Sequence, residues 1–430
     1  MNLPQTNHKR IVIIGGGFGG IQLAKSLKNT DYQVVLLDKR NYHTFQPLLY
    51  QVSTSGLEPD SIAYPLRKII KNGKNLHFRM AEVTRIDPEE QCVHTDIGPV
   101  SYHYLVLATG TRTNFFGNED IENNAVWMKT VPQALNIRSL ILENLEKANR
   151  ERDPQIRKRY LTFAIAGAGP TGVELSGALA ELKNHVLQKD YPEMDLNEME
   201  IHLYEGADRV LPPMSETASE KAQHFLEQLG VQVHLNTMVA GYDGTTVTFE
   251  EGEPLDAETF IWSSGVTGAK IDGAAQALHE KTNRYKVNVY NKLEHYDHIY
   301  AIGDIALMET EDFPKGHPQV AQPAIQQGKH LGSNFKRMLQ GKDPEPFNYF
   351  DKGTMATIGR NKAVVDIGKL HFGGFFAWFI WMFIHLWFLV GFRNRVVTFF
   401  NWTYNYINFD KAARLIIRPF QNNKNLAMED

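Results

Sequence analysis

Residues 11–20 read IVIIGGGFGG. Ile11 to Ile14 make the unbroken apolar run of a strand buried on both faces, and Gly15, Gly17 and Gly20 follow as G-x-G-x-x-G where a helix would begin. In that setting the first glycine permits a tight turn, the second lets a pyrophosphate approach the backbone, and the third lets helix and strand pack closely. The helix N-terminus then faces the phosphates. Three glycines alone are weak evidence. They gain weight from Asp38, which ends the next apolar run, VVLLDKR at 34–40, at the distance expected of a carboxylate that accepts ribose hydroxyls. A turn-forming acid at a strand end is the plainer alternative.

The same pattern returns at 162–172, TFAIAGAGPTG, with Gly167, Gly169 and Gly172 in the same spacing and Glu205 closing the run IHLYE. Glu205 lies further from its glycines than usual because 191–198 (YPEMDLNE) reads as an extra loop. A carboxylate there disfavours the 2′-phosphate of NADPH and favours NADH, although Arg209 nearby is able to accept that phosphate. Short β-branched runs (34–37, 104–108, 200–204, 260–262, 298–302) alternate with helical stretches at 132–149 and 216–229. The expectation is an α/β chain with mostly parallel sheets, in two dinucleotide-sized units. The charged segment 147–160 (KANRERDPQIRKRY) reads as a solvated helix end and loop, and 343–346 (DPEP) as a linker into a third region.

The chain has 430 residues, too many for one core, and a net charge of −4. That balance offers none of the basic excess that nucleic-acid binding requires, so no such partner is expected. One cysteine, Cys92, excludes internal disulfides and thiolate metal clusters, so redox chemistry has to come from a bound organic cofactor and no metal is expected. Residues 1–10 are polar, with no hydrophobic run or small-residue cleavage site ahead of Ile11, so the soluble part is expected to stay in the cytosol.

Further segments stand beside the two glycine turns: LVLATGT at 105–111, IYAIGDIA at 299–306, AQPAIQQG at 321–328 and GAGPTGVELSGALAE at 167–181. In this order the set resembles the two-dinucleotide flavoproteins, and among them the type II, non-proton-pumping NADH:quinone oxidoreductases, over nearly the whole chain. The resemblance implies FAD at Gly15, Gly17, Gly20, Asp38, Lys39, Ala108, Thr109, Gly110, Gly303 and Asp304. It implies NADH at Gly167, Gly169, Gly172, Glu174, Glu205 and Gly265, and a membrane quinone at Ala321, Gln322, Ala324 and Gln326. Glu174, Gln322 and Gln326 become the catalytic candidates, with Glu174 either positioning nicotinamide or helping protons reach quinone. Plainer readings exist: Glu174 as an acid in a first helical turn, and the glutamines as a solvated i, i+4 pair. Disulfide reductases and sulfide:quinone oxidoreductases need cysteine pairs that this chain lacks. An NADH-switched flavoprotein like the apoptosis-inducing factor and a soluble ferredoxin-type reductase stay open as alternatives. Hydride is expected to pass from NADH to flavin, and two electrons from flavin to quinone.

The domain division implied is 1–115 with 285–345 for FAD, 116–284 for NADH, and 346–430 as an amphipathic helical membrane-anchor region. Within the last, 371–392 (HFGGFFAWFIWMFIHLWFLVGF) is almost wholly apolar and about as long as a membrane span. Gly373, Gly374, His385 and the tryptophans Trp378, Trp381 and Trp387 favour an interfacial anchor. From Phe347 onward ten Lys and Arg stand against five Asp and Glu, a local +5 that leaves −9 for the rest. Arg393, Arg395, Lys411, Arg414 and Arg418 suit an anionic cytoplasmic leaflet. Self-association as a homodimer follows from the family resemblance alone.

Overall fold

In a computed structural model, residues 1–408, 413–417 and 419–421 are described. The chain divides into two compact units. The first comprises Met1–His43, Tyr64–Arg112 and Val266–Asp351, and the second Thr44–Ala63, Thr113–Gly265 and the described residues from Lys352 onward. The boundaries therefore fall at 112/113 and 265/266, and the C-terminal region belongs to the second unit.

The first unit is built on a five-stranded parallel sheet. Across it lie Ile299–Ala301, Tyr104–Leu107, Lys9–Ile14, Tyr32–Asp38 and Leu76–Met80. The central strand has no solvent face. Val12 and Ile14 join Val35, Leu37, Leu105 and Leu107 in one core, while Ile11 and Ile13 join Val34, Leu36 and Val106 in another. Two buried faces are why the sequence shows a continuous apolar run instead of alternation. The helix Phe18–Ser26 follows the glycine turn and packs along Ala321–Leu339. Their separation is set by small residues, since a Cβ on Gly328 would stand 2.5 Å from the Gly19 carbonyl oxygen and one on Gly332 2.4 Å from the Ser26 Cβ.

The second unit repeats the plan. Its parallel sheet runs Val126–Trp127, Thr259–Trp262, Thr162–Ala166, Glu200–Tyr204 and Val231–His234. The helices Val131–Arg150, Pro170–Leu182 and Glu216–Gln228 accompany it. Within 147–160 the structure departs from the expected loop, because Pro154–Leu161 is helical. Asp153 caps it by accepting the backbone N–H groups of Gln155 and Ile156, with Pro154 in the first turn. Asp-Pro is a helix-start signal that the density of charge obscured. A three-stranded antiparallel sheet, Thr354–Thr357, Ala363–Ile367 and Leu370–Gly373, leads into two helices, Phe375–Phe388 and Phe392–Asn408. Among the described residues no helix is long and apolar enough to cross a membrane.

The helix contact in the first unit yields a test. Gly328→Ala forces its methyl group against the Gly19 backbone, which cannot swing aside as a side chain can. We expect a loss of about 1–3 kcal/mol of stability, read as a lowered melting temperature, whereas an unchanged value would mean that the two helices separate freely.

Candidate functional site

The two glycine turns are superimposable in their hydrogen bonds. In the first, Gly15 takes a positive φ of 106° and its N–H donates to the Leu37 carbonyl at 2.8 Å. A Cβ there would lie 2.3 Å from the Ala108 oxygen, and one on Gly20 would lie 1.9 Å from the Gly15 oxygen. Gly17 has nothing within 4 Å of its Cβ position, which leaves room for a phosphate at the N-cap of the helix Phe18–Ser26. Asp38 Oδ2 accepts the Gly16 N–H at 2.6 Å and Oδ1 the Arg40 N–H at 2.7 Å. Burial pushes its carboxyl above the usual range, against the lowering effect of those two donors. Lys39 beside it is exposed.

In the second turn Gly167 has φ 98° and donates to the Tyr204 carbonyl at 2.8 Å. A Cβ on Gly172 would stand 1.9 Å from the Gly167 oxygen, and Gly169 is again open. Glu205 Oε2 accepts the Ala168 N–H at 2.7 Å and Oε1 the Ala207 N–H at 3.0 Å. Each acid thus ties the middle residue of its glycine turn and the N–H two residues after itself. The extra loop lengthens the sequence separation of Glu205 without moving it from the position that Asp38 occupies in its own unit. Arg209, the residue that left NADPH open, pairs with Glu216 at 3.5 Å and donates to the Pro212 carbonyl.

Gly110 and Gly265, each the third residue of a short segment after a strand (ATG and SSG), both take φ 72°. In the first unit Thr109 Oγ1 donates to the Ala269 carbonyl at 2.7 Å, and the Gly110 oxygen accepts the Ala269 N–H at 3.0 Å. Gly303, φ 75°, opens the GD turn, and its N–H donates to Gln327 Oε1 at 2.7 Å. Asp304 interacts with the buried Arg284, whose guanidinium also donates to the Ala306 carbonyl at 2.5 Å. Burial lowers the Arg284 pKa, while Asp304 and Glu309 oppose that.

The glutamines of AQPAIQQG behave differently from one another. Gln326 is engaged at both ends, with Nε2 donating to the Phe350 carbonyl at 2.9 Å and Oε1 accepting the Phe350 N–H at 3.1 Å. Gln322 keeps a buried Oε1 without a hydrogen-bond partner. Gln327, which sequence reasoning missed, supports the GD turn. It lies about 100° around the helix from Gln326, and two adjacent glutamines carry no signal of which one faces the core. Ala321 and Ala324 sit in the first turn of the same helix, Ala324 buried.

Glu174 is not in the first turn of its helix, as expected from the sequence. The helix starts at Pro170, so Glu174 lies in the second turn, where the dipole explanation for an acid weakens. It is 8% exposed. Burial pushes its carboxyl up to about 8, offset in part by the Thr357 backbone N–H and the Trp381 side chain. The buried Trp381 indole N–H closes no hydrogen bond, to Glu174 or elsewhere, and acts on the carboxyl as a nearby dipole. Trp381, expected at a membrane interface, is only 1% exposed and stacks on His385 with ring centroids 4.1 Å apart. Burial holds His385 down at about 4, so it is neutral.

Two parallel-sheet units that each carry a phosphate-sized glycine turn closed by a carboxylate define a two-dinucleotide oxidoreductase. Residues 9–328 match the family profile "Pyridine nucleotide-disulphide oxidoreductase", and 352–408 match "NDH2 C-terminal domain". The chain is 38% identical over 422 residues to the type II NADH:quinone oxidoreductase Ndh of Mycobacterium tuberculosis, covering 94% of this chain and 89% of that one. It is 29% identical over 369 residues to the type II NADH:quinone oxidoreductase of Staphylococcus aureus, covering 83% and 89%. In fold it is similar to the structure of NDH2 from Plasmodium falciparum in complex with NADH, at a TM-score of 0.88 and 22% identity, covering 96% and 100%. The chain belongs to the pyridine nucleotide-disulphide oxidoreductase family and, within it, to the type II NADH:quinone oxidoreductases. The apoptosis-inducing-factor-like and ferredoxin-reductase readings give way to that assignment.

The buried carboxyl makes stability depend on pH. Glu174 ionises near 4.5 when exposed and at about 8 in the fold. Across that interval the folded state keeps a proton that the unfolded state has released. The contribution is complete below about pH 4.5 and is lost as pH rises through about 8, on the order of a few kcal/mol. Glu174→Gln cannot ionise, so its melting temperature is expected to fall less than the parent's between about pH 6 and 9. Parallel melting curves would mean that Glu174 is already charged in the fold.

Proposed function

We propose that the first unit holds FAD at Gly15, Gly17, Gly20, Asp38, Lys39, Ala108, Thr109, Gly110, Gly303 and Asp304. The second then holds NADH at Gly167, Gly169, Gly172, Glu174, Glu205 and Gly265. The observation that carries this reading is the repeated carboxylate-to-turn geometry of Asp38 and Glu205. Each carboxylate oxygen has a second lone pair beyond its backbone bond and is able to accept a ribose hydroxyl. When bound, the flavin supplies the chemistry, accepting hydride from NADH and returning electrons to a membrane quinone. The chain itself orients the nucleotides, opens Gly17 and Gly169 to the phosphates and keeps Glu174 protonated near neutral pH. In this reading Glu174 supplies a proton to quinone. Of the residues proposed at the quinone, Gln322 has the stronger support, because its buried oxygen lacks a partner, whereas Gln326 is committed to Phe350.

Glu205→Ser tests the nucleotide assignment. It removes the charge that repels a 2′-phosphate, so the preference for NADH over NADPH should narrow by about tenfold, mainly through KM. Discrimination as sharp as the parent's would remove Glu205 from the ribose site.

The C-terminal helices support a peripheral, monotopic seat on the cytoplasmic face of the membrane. Phe392–Asn408 is inside out for a helix in water: it buries Asn394 and Thr398 while Phe392 is 81% and Ile407 70% exposed. The Asn394 amide donates to the carbonyls of Asp60 and Ala63, both at 3.0 Å. Phe375–Phe388 likewise turns Phe376, Phe379 and Phe383 outward. An apolar exterior of this kind suits acyl chains more than water. The charges contribute less than the sequence suggests. Arg414 pairs with Asp190 at 2.5 Å, Arg395 donates to the Leu389 carbonyl at 2.8 Å, and Arg393 makes an exposed pair with Asp60. Lys411 and Arg418 lie outside the described residues. A homodimer is retained on the family resemblance.

Replacing Phe376, Phe379 and Phe400 together by Ser should weaken co-sedimentation with anionic vesicles by about tenfold or more, with FAD content unchanged. Undiminished binding would locate the membrane contact elsewhere.

A further inference from the structure

Within each unit the order of the strands decides where a bound nucleotide runs. In the second unit the glycine turn leaves the strand Thr162–Ala166, Glu205 leaves the neighbouring Glu200–Tyr204, and Val231–His234 lies next beyond. Neighbouring strands are about 4.8 Å apart, so phosphates at the turn and a ribose at Glu205 stand one strand apart. A base joined to that ribose on the side away from its phosphate then falls over the exit of the third strand, residues 235–238.

That exit is built as a shelf. The Glu205 N–H donates to the His234 carbonyl, the Asn236 N–H to the Ala207 carbonyl and the Thr237 N–H to the Glu205 carbonyl, each at 2.9 Å. Asn236 takes a positive φ of 52° in making this return, a conformation that asparagine tolerates better than most residues. The Met238 carbonyl next accepts the Glu250 N–H at 3.0 Å. Backbone before and after the Met238 side chain is therefore held. The side chain lies across Gly206, the residue after the acid, since a Cβ there would stand 3.1 Å from both the Met238 sulfur and its methyl carbon. Its other side is open, and Met238 is 53% exposed.

A single exposed apolar side chain is ordinary on a protein surface. Position sets this one apart. Among the methionines of the described residues only Met80 and Met238 are exposed, and Met80, at 54%, holds the corresponding station in the first unit. It ends Leu76–Met80, the strand beyond Tyr32–Asp38, and pairs with Asp38 itself. The next N–H, of Ala81, donates to the Asp38 carbonyl at 3.0 Å. The local sequences, RMAEV at 79–83 and NTMVA at 236–240, have nothing else in common. Each nonetheless leaves an exposed thioether one strand beyond the acid that closes its glycine turn. A thioether is apolar and polarisable, packs favourably on aromatic rings, and adjusts to them through an unbranched stem.

We propose that Met238 is the seat of the adenine ring of NADH and sets the preference for the whole dinucleotide over its nicotinamide half. The proposal rests on the reading of the second unit as the NADH site with Glu205 at the ribose. Hydride leaves from the nicotinamide, at the opposite end of the molecule from the adenine. The contact therefore contributes equally to binding in the ground and transition states, and it acts on KM with little effect on kcat.

Titration calorimetry of the full-length holoenzyme with ADP-ribose reads the adenine contact without turnover. Met238→Ala should raise the Kd for ADP-ribose and the KM for NADH by about three- to tenfold, and keep kcat with a soluble quinone within about twofold. For reduced nicotinamide mononucleotide, which has no adenine, kcat/KM should stay at the parental value. Met238→Leu, apolar and of similar volume, should recover most of the loss. So exposed a side chain contributes little to stability, so FAD content and melting temperature should match the parent's. A parental Kd for ADP-ribose in Met238→Ala overturns the seat, and if Glu205→Ser meanwhile weakens ADP-ribose, the nucleotide assignment stands. If neither variant weakens it, the assignment of NADH to the second unit fails and the seat with it. Equal loss with the mononucleotide in Met238→Ala would overturn the seat by assigning Met238 to the framework of the whole site.

Discussion

Everything in either unit depends on a carboxylate bonded back onto the turn that precedes it in the chain. Asp38 and Glu205 each sit at the end of the strand beside the glycine turn, and each binds the middle N–H of that turn at 2.6 and 2.7 Å. The bond does two things. It satisfies the N–H of a buried residue, Gly16 or Ala168, that would otherwise lack a partner, and it fixes the acid at the distance from the helix N-terminus that a nucleotide spans. Register between the strands is what makes it possible: Ile14 pairs with Leu37 and Ala166 with Tyr204, so in both units the turn and the acid leave the sheet at the same level.

The C-terminal region is more than an attachment. Thr357 and Trp381, both beyond the second nucleotide fold in sequence, are the groups that close around Glu174. Gly177, on the helix that carries Glu174, lets that region approach, since a Cβ there would stand 2.8 Å from the Gly359 nitrogen. Asp366 adds a second fastening by accepting both the backbone N–H and the hydroxyl of Ser215, at 2.7 and 2.9 Å. The raised proton affinity of Glu174 is therefore a property of the assembled unit. Water would lower it again if the Trp381 contact opened.

The same two helices face two ways. Inward they present Ala377, Trp381, Asn394 and Thr398, and outward a surface of phenylalanines. A helix that buries its polar residues and exposes its aromatic ones follows the ordinary rule of amphipathicity only if its exterior is not water. Specific hydrogen bonds from Asn394 hold the helix to the protein and leave the apolar stripe outward, the feature on which the proposed membrane seat rests.

By itself the sequence determined the two nucleotide folds, the acids that close them and the family. These rest on local rules: apolar runs for doubly buried strands, glycines where φ is positive or a Cβ would collide, and an acid at a strand end. What it could not determine was which of several chemically equal residues faces inward. Gln327 and not its neighbour Gln326 supports the GD turn, Trp381 lines a buried carboxyl while Trp387 is exposed, and Glu174 owes its character to residues about two hundred positions away. Composition records that a helix is aromatic, but only packing selects which ring is shielded. A carboxyl's proton affinity is set by the dielectric and donors that tertiary contacts bring around it, and these leave no trace in the residues adjacent to it in sequence.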